Sequence, residues 1–255
     1  MRMLSVGFLL AVLLAVLNVP SSHAAVLIYG TRVVYSEGSR NKLVRLSNEG
    51  DVPLLIQSWL DTGEDKPVTE QRVPFVIVPP VFRMNAHQGQ VMRINYTGEV
   101  LPKDKESVFY LNVLEIPPKP TMTEQQNMLQ LAVRNRIKLF FRPKALADGP
   151  KDLGAQLQWK MTGEGEHVSL TVKNPTPFFA SFLDAYVSVN GTSYELATDM
   201  VGPGASATFP LLKPTRLPGR VQSVQFKLID DIGAAISGAA SLNSDTSFPR
   251  AETRL

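Results

Sequence analysis

From Val26 onward the chain is a succession of short strand-like segments, each ended by Gly, Pro, Asn or Asp. None of these segments sustains the 3.6-residue period of an amphipathic helix. Apolar and polar residues alternate instead, as at Met92, Ile94 and Tyr96, where Arg93 and Asn95 point the other way. The pattern predicts an all-β protein.

The strand pattern divides into two groups. The first half contains seven predicted strands, which suits a sandwich of two sheets, at residues 26–35, 42–48, 53–60, 75–83, 90–96, 107–116 and 128–141. A polar stretch at 144–152, with Gly149-Pro150, separates them from a second group. That group lies at residues 156–161, 167–173, 179–189, 193–197, 205–211, 221–229 and 234–242. We therefore predict one domain at 25–143 and a second, more irregular one at 144–255.

The first 24 residues have the pattern of a cleaved export signal. Arg2 precedes an apolar run of 12 residues, 6–17, which is shorter than the about 20 needed to span a bilayer. Ser22-His23-Ala24 fits a small-x-small cleavage site, so the mature chain is predicted to start at Ala25. No later segment is apolar enough to span a membrane.

Composition narrows the chemistry of the mature chain. Its 231 residues (255 − 24) carry 25 Lys and Arg against 23 Asp and Glu, a balance that does not predict nucleic-acid binding. Without cysteine, packing alone must hold both domains. His87 and His167 lie in no zinc motif, and no catalytic motif occurs. Acidic pairs such as 64–65 and 230–231 are typical of solvated turns, so neither an enzyme nor a metal or other cofactor is predicted.

The segment 128–143 is long for a strand and regularly alternating. Leu129, Leu131, Val133, Ile137 and Leu139 share one face. The other face carries three cations about 7 Å apart, at Arg134, Arg136 and Lys138. Such a row of cations favours the binding of an anion. A strand with one face in the core and a basic face in solvent has the same pattern, however.

Several short stretches, and their order along the chain, resemble the periplasmic chaperones of the chaperone-usher pathway in Gram-negative bacteria. They are residues 31–35 (TRVVY), 106–112 (ESVFYLN), 115–118 (EIPP), 137–143 (IKLFFRP) and 174–179 (NPTPFF). The resemblance covers nearly the whole mature chain. It implies two immunoglobulin-like domains arranged as a boomerang, in a protein that binds pilus subunits and delivers them to an outer-membrane usher.

The resemblance also implies roles for particular residues. Arg32 and Lys138 would hold the C-terminal carboxylate of a subunit in the cleft between the domains. The apolar residues of one strand, at Leu129, Leu131 and Val133, would fill a groove that a missing strand leaves open in the subunit. A charged network that fixes the angle between the domains would consist of Glu106, Arg142 and Asp231, with Asp230 as an alternative for the last.

Other interpretations remain at this point. An exported adhesin or structural pilus component would also be immunoglobulin-like, but it would normally have a single domain that lacks its last strand. A hydrolase on a β-sandwich would need clustered acids, whereas this candidate cleft carries cations. The connection 117–127, of intermediate length and free of cysteine, resembles the short-loop group of these chaperones more than the long-loop group.

Overall fold

The computed structural model of the protein describes residues 25–119, 130–162, 168–213 and 216–242. These ranges form sixteen strands and one short α-helix, which lie in two sandwiches. The all-β class and the two-sandwich organisation predicted from the alternation are therefore confirmed. The export signal, Leu129 and the tail 243–255 lie outside the described residues.

The first sandwich pairs a four-stranded with a five-stranded sheet. Its strands are β1 Val26–Ile28, β2 Arg32–Ser36, β3 Lys42–Asn48, β4 Leu54–Asp61, β5 Phe75–Val78, β6 Val81–Met84, β7 Gly89–Tyr96, β8 Ser107–Ile116 and β9 Val133–Arg142. The sheet orders are β1-β3-β7-β5 and β2-β9-β8-β4-β6. All pairings in these sheets are antiparallel except β2 with β9, which is parallel.

Two predicted strands each prove to be a pair of strands that cross from one sheet to the other. The predicted strand 26–35 is interrupted at Gly30, whose φ of +115° lies in the region that favours glycine. The predicted strand 75–83 is interrupted at Pro79 and Pro80, which have no N–H to donate to a ladder. Each interruption lets one stretch of chain contribute to both sheets, and this is how nine strands replace the predicted seven.

The core of the first sandwich is dominated by aromatic rings. Tyr35, Phe75 and Phe141 are buried, and the ring of Phe75 lies 5.3 Å from that of Tyr35 in an edge-on arrangement. Tyr96 packs on Phe141 with ring centroids 4.8 Å apart. Burial of each large apolar side chain contributes about 1.5–3 kcal/mol, which holds this sandwich together without a disulfide.

The second sandwich follows a 3₁₀ turn at Lys144–Leu146 and the helix α1, Leu153–Gln156. Its strands are β10 Gln158–Thr162, β11 Ser169–Lys173, β12 Phe182–Val189, β13 Thr192–Glu195, β14 Ser206–Pro210, β15 Ser223–Ile229 and β16 Ala235–Ser241. They form sheets of order β10-β11-β14 and β13-β12-β15-β16. Trp159 lies at the centre of the core, with rings of Phe182, Phe209 and Phe226 around it.

Candidate functional site

Arg32 and Lys138 are far apart in sequence but lie side by side in the structure. The parallel pairing of β2 with β9 puts them directly opposite each other in register. Antiparallel pairing extends the same row across the sheet to Tyr110 on β8 and Asp61 on β4. The row faces away from the core of the first sandwich, because Val33 and Leu139, the next residues on each strand, are buried in that core.

Contacts with both sandwiches orient Arg32. Its Nη1 donates a 2.8 Å hydrogen bond to the carbonyl oxygen of Ile229, and its guanidinium lies 5.5 Å from the centre of the Phe140 ring. The Nε atom is buried and has no hydrogen-bond partner among the described residues. Burial lowers the pKa of the Arg32 guanidinium, while Asp231, Asp230 and Glu106 act in the opposite direction.

Lys138 is half-buried and forms no hydrogen bond or ion pair with any residue in the described ranges. Burial lowers the pKa of its ammonium group, and the neighbouring positive charge of Arg32 lowers it further. The exposed Asp199, between β13 and β14, has a weaker effect of the opposite sign. Neither of these two adjacent cations forms an ion pair with a carboxylate of the described residues, so together they can bind an anion such as a chain-terminal carboxylate.

The start of β9 has an open edge beside these cations. β2 pairs only with residues 138–142 of β9, so no described strand covers that side of residues 133–137. Val133 is 46% exposed and Leu131 is 66% exposed, whereas Leu139 on the same face is fully buried. The side chain of Gln130 donates to the carbonyl of Pro117 at 2.8 Å, which ties the segment before β9 to the end of β8.

Arg142 connects the two sandwiches through the predicted charged network. Its Nε donates to Oε1 of Glu106 at 2.9 Å, and Nη1 and Nη2 donate to the two carboxylate oxygens of Asp231 at 2.5 and 2.8 Å. The other oxygen of Glu106 accepts from the Phe179 N–H at 2.9 Å. Asp230, the alternative partner, instead accepts hydrogen bonds from the Ile232 and Ala234 N–H groups in its own turn.

The electrostatics of the network follow from its burial. Burial is the largest influence on Glu106 and raises the pKa of its carboxyl, and the Phe179 N–H and Arg142 oppose that effect. Burial lowers the pKa of the Arg142 guanidinium, but the hydrogen bonds that it donates to Asp231 and Glu106 and the negative charges of these acids outweigh that effect, so its pKa is raised. The guanidinium is thus a permanently charged link between the sandwiches.

Phenylalanine rings, whose role the sequence analysis did not assign, surround this link. The Arg142 guanidinium lies 5.3 Å from the centre of the Phe178 ring, and Phe140 packs on Phe179 at 5.6 Å. The fully buried Asn174 shapes the loop that presents them, since its amide donates to the Phe178 carbonyl at 2.6 Å. The NPTPFF stretch predicts a loop at this position, but the sequence does not indicate that its phenylalanine rings contact Arg142 and Phe140.

A second charged cluster was also missed. Arg136, one of the three cations predicted to share a face of β9, forms an ion pair with the buried Asp61 and lies over the Tyr110 ring at 4.0 Å. Asn112 donates to the second oxygen of Asp61 at 2.7 Å. Arg136 is therefore already neutralised, which leaves Lys138 and the exposed Arg134 as the cations of β9 without an acidic partner among the described residues.

Comparison with known proteins assigns the family. Residues 25–147 match the model of the family described as pili and flagellar-assembly chaperone, PapD N-terminal domain, and residues 152–240 match pili assembly chaperone PapD, C-terminal domain. The chain belongs to the pilus assembly chaperones. The predicted resemblance and the immunoglobulin-like sandwiches are thereby confirmed.

Individual relatives agree with this assignment. The probable fimbrial chaperone YadV of Escherichia coli K12 is 43% identical over 228 residues, covering 87% of this chain and 92% of YadV. The chaperone protein FimB/FhaD of Bordetella pertussis is 41% identical over 248 residues, covering 94% and 97%. The crystal structure of YadV superposes with a TM-score of 0.73 at 40% identity over 86% of this chain and 100% of that one.

One solved relative contains a bound partner. The SafB chaperone of Salmonella enterica, in complex with the SafA pilin, is similar to this chain with a TM-score of 0.68 and 27% identity. The match covers 92% of this chain and 98% of that chain. Within the described ranges of the present chain, no helix is long and apolar enough to cross a membrane, and no three metal-ligating side chains cluster.

Proposed function

We propose that this chaperone works in the periplasm, where it captures a pilus subunit by its C-terminal carboxylate and by its open groove. Arg32 and Lys138 bind the carboxylate, and the segment that carries Leu129, Leu131 and Val133 supplies the strand the subunit lacks. The observation that carries this proposal is the uncovered edge of β9 beside an unpaired lysine. The complex of the related SafB with its pilin supports the same class of partner.

The rest of the proposal follows from membership of the family. We propose that the captured subunit is passed to an outer-membrane usher, and that the protein acts by binding and without catalysis. The division into domains at 25–143 and 144–255 remains part of this proposal, as does the short-loop character of the connection 117–127. An adhesin or structural pilus component is disfavoured, because both chaperone domain models match the chain.

Replacing Leu131 by glutamate tests the groove-filling strand. We expect subunit affinity to fall at least roughly 10-fold, since about 1.5–3 kcal/mol of apolar burial is lost and a charge must enter an apolar groove. The free chaperone should keep its Tm because Leu131 is exposed. The matched control is Leu43→Glu, the same change at a 56% exposed leucine on the other sheet, which should leave capture intact. Equal loss in both variants, or unfolding of Leu131→Glu, would contradict the assignment.

The lowered pKa of Lys138 predicts that capture weakens at alkaline pH. In the free chaperone the ammonium loses its proton below the usual lysine pKa of about 10.4, whereas a bound carboxylate favours the charged form. Binding must then take up a proton, so affinity should fall by up to about tenfold per pH unit above the lowered pKa. Titration calorimetry with a peptide that has the C-terminal sequence of the pilin measures this.

Two controls identify the source of the pH dependence. Lys138→Arg should remove the fall over the same pH range, because arginine stays charged there. A peptide with an amidated C-terminus should show no comparable fall. A fall of the same slope in Lys138→Arg would assign the titration to another group.

A further inference from the structure

Glu115 is a buried carboxylate that the proposed capture mechanism does not use. It is the penultimate residue of β8 and is 5% exposed, and it continues the core-facing series of Leu111 and Val113. Both of its carboxylate oxygens are buried and have no hydrogen-bond partner among the described residues. No Lys, Arg or His of those residues forms an ion pair with it.

Such a group is unfavourable unless a cation or donor reaches it. Burial raises the pKa of the Glu115 carboxyl, and no charged side chain of the described residues shifts it detectably. The Val26 N–H approaches the carboxylate and opposes the effect of burial on its pKa, but it completes no hydrogen bond of ordinary geometry. The chain around Val26 therefore lies next to the unsatisfied oxygens.

The strand registers agree with this placement. β1 lies in the four-stranded sheet, where Val26 pairs with Asn48 of β3, and the Val26 side chain is buried in the core between the two sheets. Glu115 lies opposite Val133 in the β8–β9 pair. Val26 is buried and Ala25 packs against the same core, so the first two residues of the predicted mature chain close the end of the sandwich where Glu115 lies.

Cleavage of the leader changes the chemistry at this point. Hydrolysis of the bond between Ala24 and Ala25 adds water, which gives Ala24 a carboxyl group and Ala25 a free amine, charged at neutral pH. By covalent geometry the Ala25 nitrogen lies within about 4 Å of the Val26 nitrogen. The new ammonium therefore arises next to a carboxylate that has no other cation among the described residues.

We propose that Glu115 is the binding site for the α-ammonium group of the processed chain, so that leader removal completes the first sandwich. The resulting ion pair fixes the start of β1 next to Glu115, which lies opposite Val133 at the start of β9. This ion pair rests on one part of the proposed function, the location in the periplasm, together with the predicted cleavage before Ala25. Binding of a pilin plays no part in it.

The test uses purified chains that start at Ala25 or carry one additional glycine before it, each with Glu115 or with Glu115→Gln. In the native chain, NMR titration of the labelled Ala25 amine should give a pKa at least about one unit above the ordinary 7.7–8.0. In Glu115→Gln this pKa should return to the ordinary range. The additional glycine should lower Tm by roughly 3–6 °C with Glu115 present and by much less with Gln.

Two results would overturn the proposal. One is an Ala25 amine that titrates in the ordinary range in the native chain, a measurement that needs no variant to fold. The other is N-terminal sequencing of the periplasmic protein that finds a first residue other than Ala25. Because no pilin is present in these measurements, they succeed or fail separately from the proposed capture of subunits.

Discussion

Replacing Lys138 by alanine is expected to abolish the accumulation of coexpressed subunit without destabilising the chaperone. Lys138 has no hydrogen-bond or ion-pair partner in the described chain, so its removal breaks no internal bond and relieves repulsion from Arg32. Each lost charge-assisted hydrogen bond to a carboxylate costs about 1.5–3 kcal/mol, or roughly 10- to 150-fold in affinity. The periplasmic subunit level and the Tm of the free chaperone measure the two effects.

Arg32→Ala is expected to have the same effect on capture but a different one on stability. Arg32 also bonds to the Ile229 carbonyl and lies over Phe140, so its loss should lower Tm where that of Lys138 does not. In the double variant the effects on capture should not add, because either single change already leaves the carboxylate half-satisfied. A one-residue slip of the unanchored subunit would also turn its paired side chains to the wrong face.

Arg134→Ala is the matched control for this pair of variants. Arg134 is an exposed cation on the same strand, four residues before Lys138, and it has no acidic partner in the described ranges. Its removal should leave subunit levels unchanged. Normal subunit levels with a folded Arg32→Ala/Lys138→Ala double variant, together with loss in Arg134→Ala, would move the anion site to Arg134.

The two sandwiches could be predicted from the sequence, but the crossings between sheets could not. Alternation identified the strands, because a period of two survives whatever the partner strand is. The only trace of a crossing in the sequence is a change in parity, from even-numbered to odd-numbered core-facing residues or the reverse. Val26 and Ile28 face the core before Gly30, whereas Val33 and Tyr35 face it afterwards. In the same way, the residues that face the core are Phe75 and Ile77 before the two prolines, and Phe82 and Met84 after them. A change of parity within so few residues is a weak signal, because a bulge inside one continuous strand produces the same pattern.

The residues of the candidate site could be predicted only where they lie in sequence motifs of the family. The resemblance identified Arg32, Lys138 and the members of the charged network, and the structure brings each set together. The ion pair of Arg136 with Asp61 could not be predicted from the sequence. The two residues are 75 positions apart and meet only because β4, β8 and β9 are neighbours in one sheet. The choice between Asp230 and Asp231 likewise depends on the turn after β15, where the Asp230 side chain is used by backbone N–H groups.

Removal of the Arg142 guanidinium should have the largest effect on stability of any single change at the site. In Arg142→Met, the Glu106 carboxylate remains buried and, among the described residues, keeps only the Phe179 N–H as a hydrogen-bond partner, and the bidentate contact with Asp231 is lost. Removing one partner of a buried ion pair costs about 3–5 kcal/mol, which corresponds to a fall in Tm of roughly 6–20 °C. Asp231→Asn should cost much less, because the Asp231 side chain is 39% exposed and water can replace part of the contact.

Each sandwich contains one tryptophan, whose fluorescence reports the unfolding of that sandwich. Its two tryptophans are Trp59 on β4 and Trp159 on β10, so Trp59→Phe and Trp159→Phe each leave a single reporter. With Arg142 present we expect the two unfolding transitions to coincide, and with Arg142→Met we expect them to separate, because the charged link between the sandwiches is gone. Adding Glu106→Gln to Arg142→Met should recover part of the lost Tm by removing the stranded buried charge. Coincident transitions and an unchanged Tm in Arg142→Met would show that the aromatic contacts of Phe178 and Phe179, and not the network, hold the sandwiches together.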